Sequence, residues 1–130
     1  MSEHDALIAA ARAARENAHA PYSNFPVGAA VRAKSGRMFS GCNVENATYG
    51  LTLCAERVAI FKAISEGERE FDAIAVVTDT ETLTPPCGAC RQIIWEFCGD
   101  ADVLLANLQG KTAMHRMSTL FPKPFDNSFL

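Results

Sequence analysis

Apolar positions along the chain follow two rhythms, one helical and one strand-like. From Asp5 to Ala18 the sequence is rich in Ala, Arg and Glu, with its apolar residues on one face, which predicts an amphipathic helix. Pro21 ends it, and Pro21-Tyr22-Ser23-Asn24 predicts a turn. Val27 to Ala33 and Met38 to Val44 predict two strands joined by a hairpin turn at Lys34-Ser35-Gly36-Arg37. Between Cys54 and Ser65, Val58, Ile60, Phe61 and Ile64 recur at helical spacing, and Gly67 stops that helix. Phe71 to Thr78 is nearly all apolar and β-branched, as suits a central strand buried on both faces. Thr84-Pro85-Pro86 cannot continue a helix, and Cys87 to Phe97 fits one that begins just after proline. Ala101 to Asn107 predicts a strand, Leu108-Gln109-Gly110-Lys111 a tight turn, and Thr112 to Met117 a last short strand.

After the first helix the order is ββαβαββ, an α/β pattern of a sheet with helices packed against it. The last two strands are joined by too short a turn for a parallel crossover, so they pair antiparallel. No repeat, low-complexity tract or linker interrupts the chain. Its 130 residues therefore predict a single domain, 1–130. A chain of this length buries roughly two thirds of its unfolded surface.

Charge narrows the function. Net charge is −3 and no Lys/Arg cluster appears, so a small substrate is expected rather than a nucleic acid. The start, Met1-Ser2-Glu3-His4-Asp5, is polar and acidic and does not read as a signal or transit peptide. No apolar run is long enough for a membrane span. Five cysteines without a secretory signal predict the reducing cytoplasm, where metal binding or catalysis is favoured over a disulfide framework.

The chemistry concentrates in two segments, Cys54-Ala55-Glu56 and Pro86-Cys87-Gly88-Ala89-Cys90. A Cys-x2-Cys pair plus a distant Cys can hold Zn2+ on three sides, leaving a fourth tetrahedral position for water. Glu56, two residues after its cysteine, is placed to move protons. Cys54 and Cys87 each open a predicted helix, where unpaired N–H groups and partial positive charge favour thiolate. Cys87 and Cys90, three apart, share a helix face. Three thiolates and a hydroxide around Zn2+ carry a formal charge of about −2. Arg57 and Arg91, adjoining the motif, are the candidates to offset it. Cys42 and Cys98 read as core residues, and His4, His19 and His115 stand in no ligand-like context. A closed structural zinc site would need a fourth protein ligand. A redox role for Cys87-x-x-Cys90 would leave Cys54 and Glu56 idle.

Four motifs in order resemble the small, zinc-dependent cytidine deaminases of the homotetrameric type. They are Pro21-Tyr22-Ser23-Asn24-Phe25-Pro26-Val27-Gly28-Ala29-Ala30, Gly41-Cys42-Asn43-Val44-Glu45-Asn46-Ala47, Cys54-Ala55-Glu56-Arg57 and Pro86-Cys87-Gly88-Ala89-Cys90-Arg91-Gln92. The resemblance implies an α/β/α three-layer sandwich with a mixed five-stranded sheet, and one Zn2+ per subunit. It implies hydrolytic deamination of cytidine and 2′-deoxycytidine by zinc-bound hydroxide, with Glu56 as proton shuttle, in pyrimidine salvage. It gives Asn43 and Glu45 the ribose 3′-hydroxyl, and Phe25 and the backbone of Ala55 the base. Tyr49 falls near a subunit boundary. Phe125, in Leu120-Phe121-Pro122-Lys123-Pro124-Phe125, is implied to reach a neighbouring subunit's site. Pro85 stands where relatives commonly have Ser. Two rival readings remain at this point: a deaminase of blasticidin S or N4-modified cytidine, and a non-catalytic, zinc-stabilised interaction module.

Overall fold

The computed structural model describes residues 2–130. Helix α1 (Glu3–Arg15) starts on a capping box. Ser2 Oγ accepts the Asp5 N–H, and the Asp5 carboxylate accepts that of Ser2. The helix ends before the predicted Ala18 because the chain turns to run beside Asn43–Glu45. There the His19 N–H donates to the Asn43 carbonyl, and the Glu45 N–H donates to that of His19.

Strands β1 (Gly28–Ala33) and β2 (Met38–Cys42) form the hairpin, followed by α2 (Ala55–Ser65), β3 (Phe71–Val77) and α3 (Gly88–Cys98). Strands β4 (Asp102–Ala106) and β5 (Thr112–Arg116) follow, then the short helix α4 (Met117–Leu120). The sheet order is β2-β1-β3-β4-β5. β3 and β4 are parallel, as a helical crossover requires, and the other pairs are antiparallel. The predicted second strand stops at Cys42, and Val44 makes only isolated bridges to His19 and Leu53.

Alternation of side chains along the strands builds two cores. Val31, Ile74, Val76 and Val103 face α2 and α3, packing with Ile60 and Ile94. Ala30, Ala73, Ala75 and Leu104 face α1, packing with Leu7 and Ala11. The result is the three-layer α/β/α arrangement. Small residues let the helices approach closely. A Cβ on Gly28 would lie 1.9 Å from the Ala11 carbonyl oxygen of α1, and one on Gly41 2.7 Å from the Ala59 nitrogen of α2. Among the described residues, no helix is long and apolar enough to cross a membrane.

Candidate active site

The site lies at the carboxyl end of β3, where α2 and α3 both begin. Cys54 and Cys87 are the N-cap residues of these helices, in extended backbone, with neither sulfur spent on capping. Cys90 sits in the first turn of α3. The three sulfurs lie within 4.8 Å of one another. Cys90 is buried, Cys54 half-buried and Cys87 exposed.

This donor set fits zinc, which three thiolates bind while a tetrahedral corner stays open. The group of potential ligands contains no fourth member among the described residues, as a catalytic rather than a closed site requires. A hydrogen bond from the Cys90 thiol brings Cys54 down to about 5, and the Arg57 guanidinium adds to this. The same bond, with burial, pushes Cys90 up. Arg57 Nη2 stands 3.2 Å from the Cys54 sulfur. Arg91 instead donates to two carbonyls, Pro86 at 2.8 Å and Leu120 at 2.6 Å. It ties the loop before Cys87 to the C-terminal segment rather than touching sulfur.

Glu56, in the first turn of α2, is 5% exposed. Burial pushes its carboxyl up to about 7, and the neighbouring Cys54 charge adds to that. It lines a cleft of about 250 Å³ shared with Cys54, Cys87, Phe25, Asn43, Glu45 and Ala55. An outer cleft of about 380 Å³, lined by Tyr22, Ser23, Glu45, Tyr49 and Thr52, shares three of its residues with the inner one.

Two expected substrate contacts also build the wall. Asn43, 7% exposed, accepts the Val27 N–H at 2.9 Å through Oδ1 and donates from Nδ2 to the Phe25 carbonyl at 2.9 Å. Glu45 accepts the N–H groups of Tyr22 at 2.9 Å and Ser23 at 3.0 Å, and also the Ser23 hydroxyl. The hydroxyl bond, then the two N–H bonds, hold its carboxyl below the usual range. Together Asn43 and Glu45 fix the segment that presents Phe25.

Two expected residues lie outside the inner cleft. Tyr49 is 74% exposed and meets Tyr22 edge-on, with ring centroids 6.0 Å apart. Phe125 is 59% exposed and stacks on Phe129 at 5.7 Å. Its carbonyl accepts Gln92 Nε2 at 2.8 Å, so the tail runs along α3 of its own chain. Cys98 is buried and its thiol pushed up to about 12 by that burial, which suits a core residue. Sequence reasoning missed Thr52, Val76, Thr78 and Thr84, which also line the inner cleft. The one available signal for Thr78 was a hydroxyl closing an otherwise apolar strand.

The model of the cytidine and deoxycytidylate deaminase zinc-binding region matches residues 1–106. The chain is 52% identical over 125 residues to a cytidine deaminase of Sporosarcina psychrophila, covering 95% of this chain and 92% of the relative. It is 55% identical over 120 residues to one of Halalkalibacterium halodurans, covering 92% and 91%. A crystal structure of cytidine deaminase from Burkholderia pseudomallei superposes with a TM-score of 0.91 at 52% identity, covering 96% of this chain and 100% of that one. A three-sulfur centre beside a buried Glu, on a fold shared with these proteins, has one reading: the chain belongs to the zinc-binding cytidine and deoxycytidylate deaminase family.

Proposed function

We propose that this chain hydrolyses the C4–N bond of cytidine and 2′-deoxycytidine, taking up water and releasing ammonia with the uridine product. The observation that carries this reading is the buried carboxyl of Glu56 in the cleft that Cys54 and Cys87 of the sulfur cluster also line. A protein that merely stored zinc would have no use for an acid at that place.

Bound by Cys54, Cys87 and Cys90, zinc supplies Lewis acidity that brings the ionisation of water near neutral pH. Glu56 takes a proton from the attacking water and hands it to N3 of the ring, which makes C4 electrophilic. After attack at C4, Glu56 takes the proton of the new C4 hydroxyl and passes it to the amine, which leaves as ammonia while the C4 carbonyl forms, so the carboxyl acts as base and then as acid. Arg57, hydrogen-bonded to the Cys54 sulfur, offsets thiolate charge. Arg91 holds the Cys87 loop through the Pro86 carbonyl.

Asn43 and Glu45 suit a sugar hydroxyl for a specific reason. Asn43 has spent one of its two amide N–H bonds and keeps the other. An ionised carboxylate offers about four acceptor positions, and Glu45 has filled three. One spare donor beside one spare acceptor matches a hydroxyl, which both accepts and donates. Phe25 and the Ala55 backbone flank the base. Tyr49 and Phe125 act across subunits of a homotetramer, and light scattering of the parent and of Phe125→Ala, with the KM of each, checks this assignment. The setting is cytoplasmic nucleoside reuse, tested by growth of a pyrimidine-requiring strain on cytidine.

The decisive assay follows the ultraviolet loss of cytidine with and without a chelator. Deoxycytidine, cytosine and blasticidin S serve as parallel substrates. Turnover of cytidine that vanishes on chelation and returns with zinc is expected. A zinc-loaded protein inert towards cytidine but active on blasticidin S would overturn the substrate assignment, and inertness towards all four would overturn the deaminase reading.

A further inference from the structure

Residues 79–86 join β3 to α3 and deliver Cys87 to the sulfur cluster. Their main chain makes no backbone-to-backbone hydrogen bond. Pro85 and Pro86 carry no N–H with which to make one. Side chains hold this loop instead, and Thr80 is the hub. Its hydroxyl lies 3.0 Å from that of Thr78 and 3.1 Å from that of Thr84. Its carbonyl accepts Asn107 Nδ2 at 3.0 Å.

Next to Cys87, Arg91 Nε of α3 donates to the Pro86 carbonyl at 2.8 Å; the ties on the first half of the loop come from the turn between β4 and β5. Gln109 Nε2 donates to Asp79 Oδ1 at 3.0 Å, and Lys111 Nζ to the Glu81 carbonyl at 3.5 Å. Alternate residues of the turn, 107, 109 and 111, thus reach three successive loop residues, 80, 79 and 81. The turn is itself braced. Asn107 is buried, and its Oδ1 accepts the N–H groups of Gln109 at 3.0 Å and Lys111 at 2.9 Å. Its carbonyl accepts Arg12 Nη2 from α1 at 3.2 Å.

We propose that the turn 107–111 is a clasp on the Cys87 loop and that Thr80 is its positioning residue, presetting Cys87 for metal retention and Thr84–Pro85 as the cleft wall. Of the three sulfur ligands, Cys90 is buried within a helix, whereas Cys87 is exposed and ends the loop. An ion held by three sulfurs leaves fastest through its loosest ligand. Loop stiffness therefore sets the rate of metal loss. Removing the Thr80 hydroxyl deletes two part-buried hydrogen bonds, which at the lower end of the usual net strength shifts loop opening roughly tenfold.

The test uses zinc-loaded parent, Thr80→Val, Thr80→Ser and Thr84→Val. Zinc transfer to a chromophoric chelator is timed, melting is recorded, and kcat and KM for cytidine are measured in zinc-saturated buffer. Thr80→Val is expected to lose zinc about tenfold faster and to raise KM more than it lowers kcat. Thr80→Ser, which keeps the hydroxyl, should stay within about twofold of the parent. Thr84→Val breaks one of the two bonds and should release zinc about threefold faster; it carries the test if Thr80→Val does not fold.

Zinc loss from Thr80→Val at the parental rate, or equally fast loss from Thr80→Ser, would overturn the clasp. The kinetic arm rests on the deaminase reading and the chelator arm does not. A parent inert towards cytidine whose Thr80→Val still sheds zinc faster would remove the function and keep the clasp. An active parent with unchanged zinc loss in both valine variants would do the reverse.

Discussion

Asn43 offers the sharpest test of how the cleft is built, because its side chain serves the protein before it can serve a ligand. Its amide joins the Val27 N–H and the Phe25 carbonyl, both at 2.9 Å, in a buried position. Asn43→Ala removes two hydrogen bonds worth about 1 kcal/mol each and leaves two main-chain groups short of partners. Part of that cost is recovered by local rearrangement and water, so a loss of about 3 kcal/mol is expected. For a chain of 130 residues, the entropy of unfolding converts this to a fall in melting temperature of roughly 10 °C. KM should rise as well, since Phe25 loses its anchor.

Asn43→Asp separates the two roles. Its carboxylate can still accept the Val27 N–H but meets the Phe25 carbonyl with like charge. The folded state therefore raises the pKa of this acid, so stability is retained at low pH and falls as pH rises. Thermal melts of zinc-loaded protein at two pH values, with cytidine kinetics, measure all of this. An Asn43→Ala variant melting within about 2 °C of the parent would refute the reasoning.

Other outcomes follow from the same geometry. Glu56→Gln keeps shape but cannot relay a proton, so kcat should drop by about 10³-fold or more with zinc content unchanged by metal analysis; near-parental turnover would remove Glu56 from the mechanism. Gly28→Ala drives a methyl group into the main chain of α1 and should cost about 3 kcal/mol by denaturant titration, at the upper end for overpacking. Asp126 is held below its ordinary 3.8 by the Ser128 hydroxyl and by the Trp95 indole N–H. Its folded pKa is depressed, so the tail anchor is intact above that range and is lost as pH falls through the lowered value. Trp95 is the chain's one tryptophan, and its fluorescence should change in that acid window in the parent but not in Asp126→Asn.

The architecture was legible wherever residues speak locally. The apolar run 71–77 became the buried strand β3, Cys54 became a helix cap as the apolar periodicity after it implied, and Cys87 became one as the prolines before it implied. The antiparallel pairing of β4 with β5 followed from a turn too short for anything else. What escaped was set at a distance. The first helix ends early because His19 pairs with residues beyond β2. Arg91 adjoins a sulfur ligand in sequence, yet its guanidinium goes to carbonyls at 86 and 120. Threonine hydroxyls at 78, 80 and 84 have no periodicity that announces a chain of contacts. Hydrogen-bond partners are chosen by three-dimensional placement, and a linear pattern does not encode them.

The origin of the three sulfurs has a biosynthetic consequence. One comes from the helix before the central strand and two from the helix after it. They converge only once β3 has taken its place and α3 has docked. A chain still emerging from the ribosome, or trapped part-folded, lacks the chelating geometry. Bound zinc therefore reports that α2, β3 and α3 have come together, and metal stoichiometry of the parent doubles as a check on that step of folding.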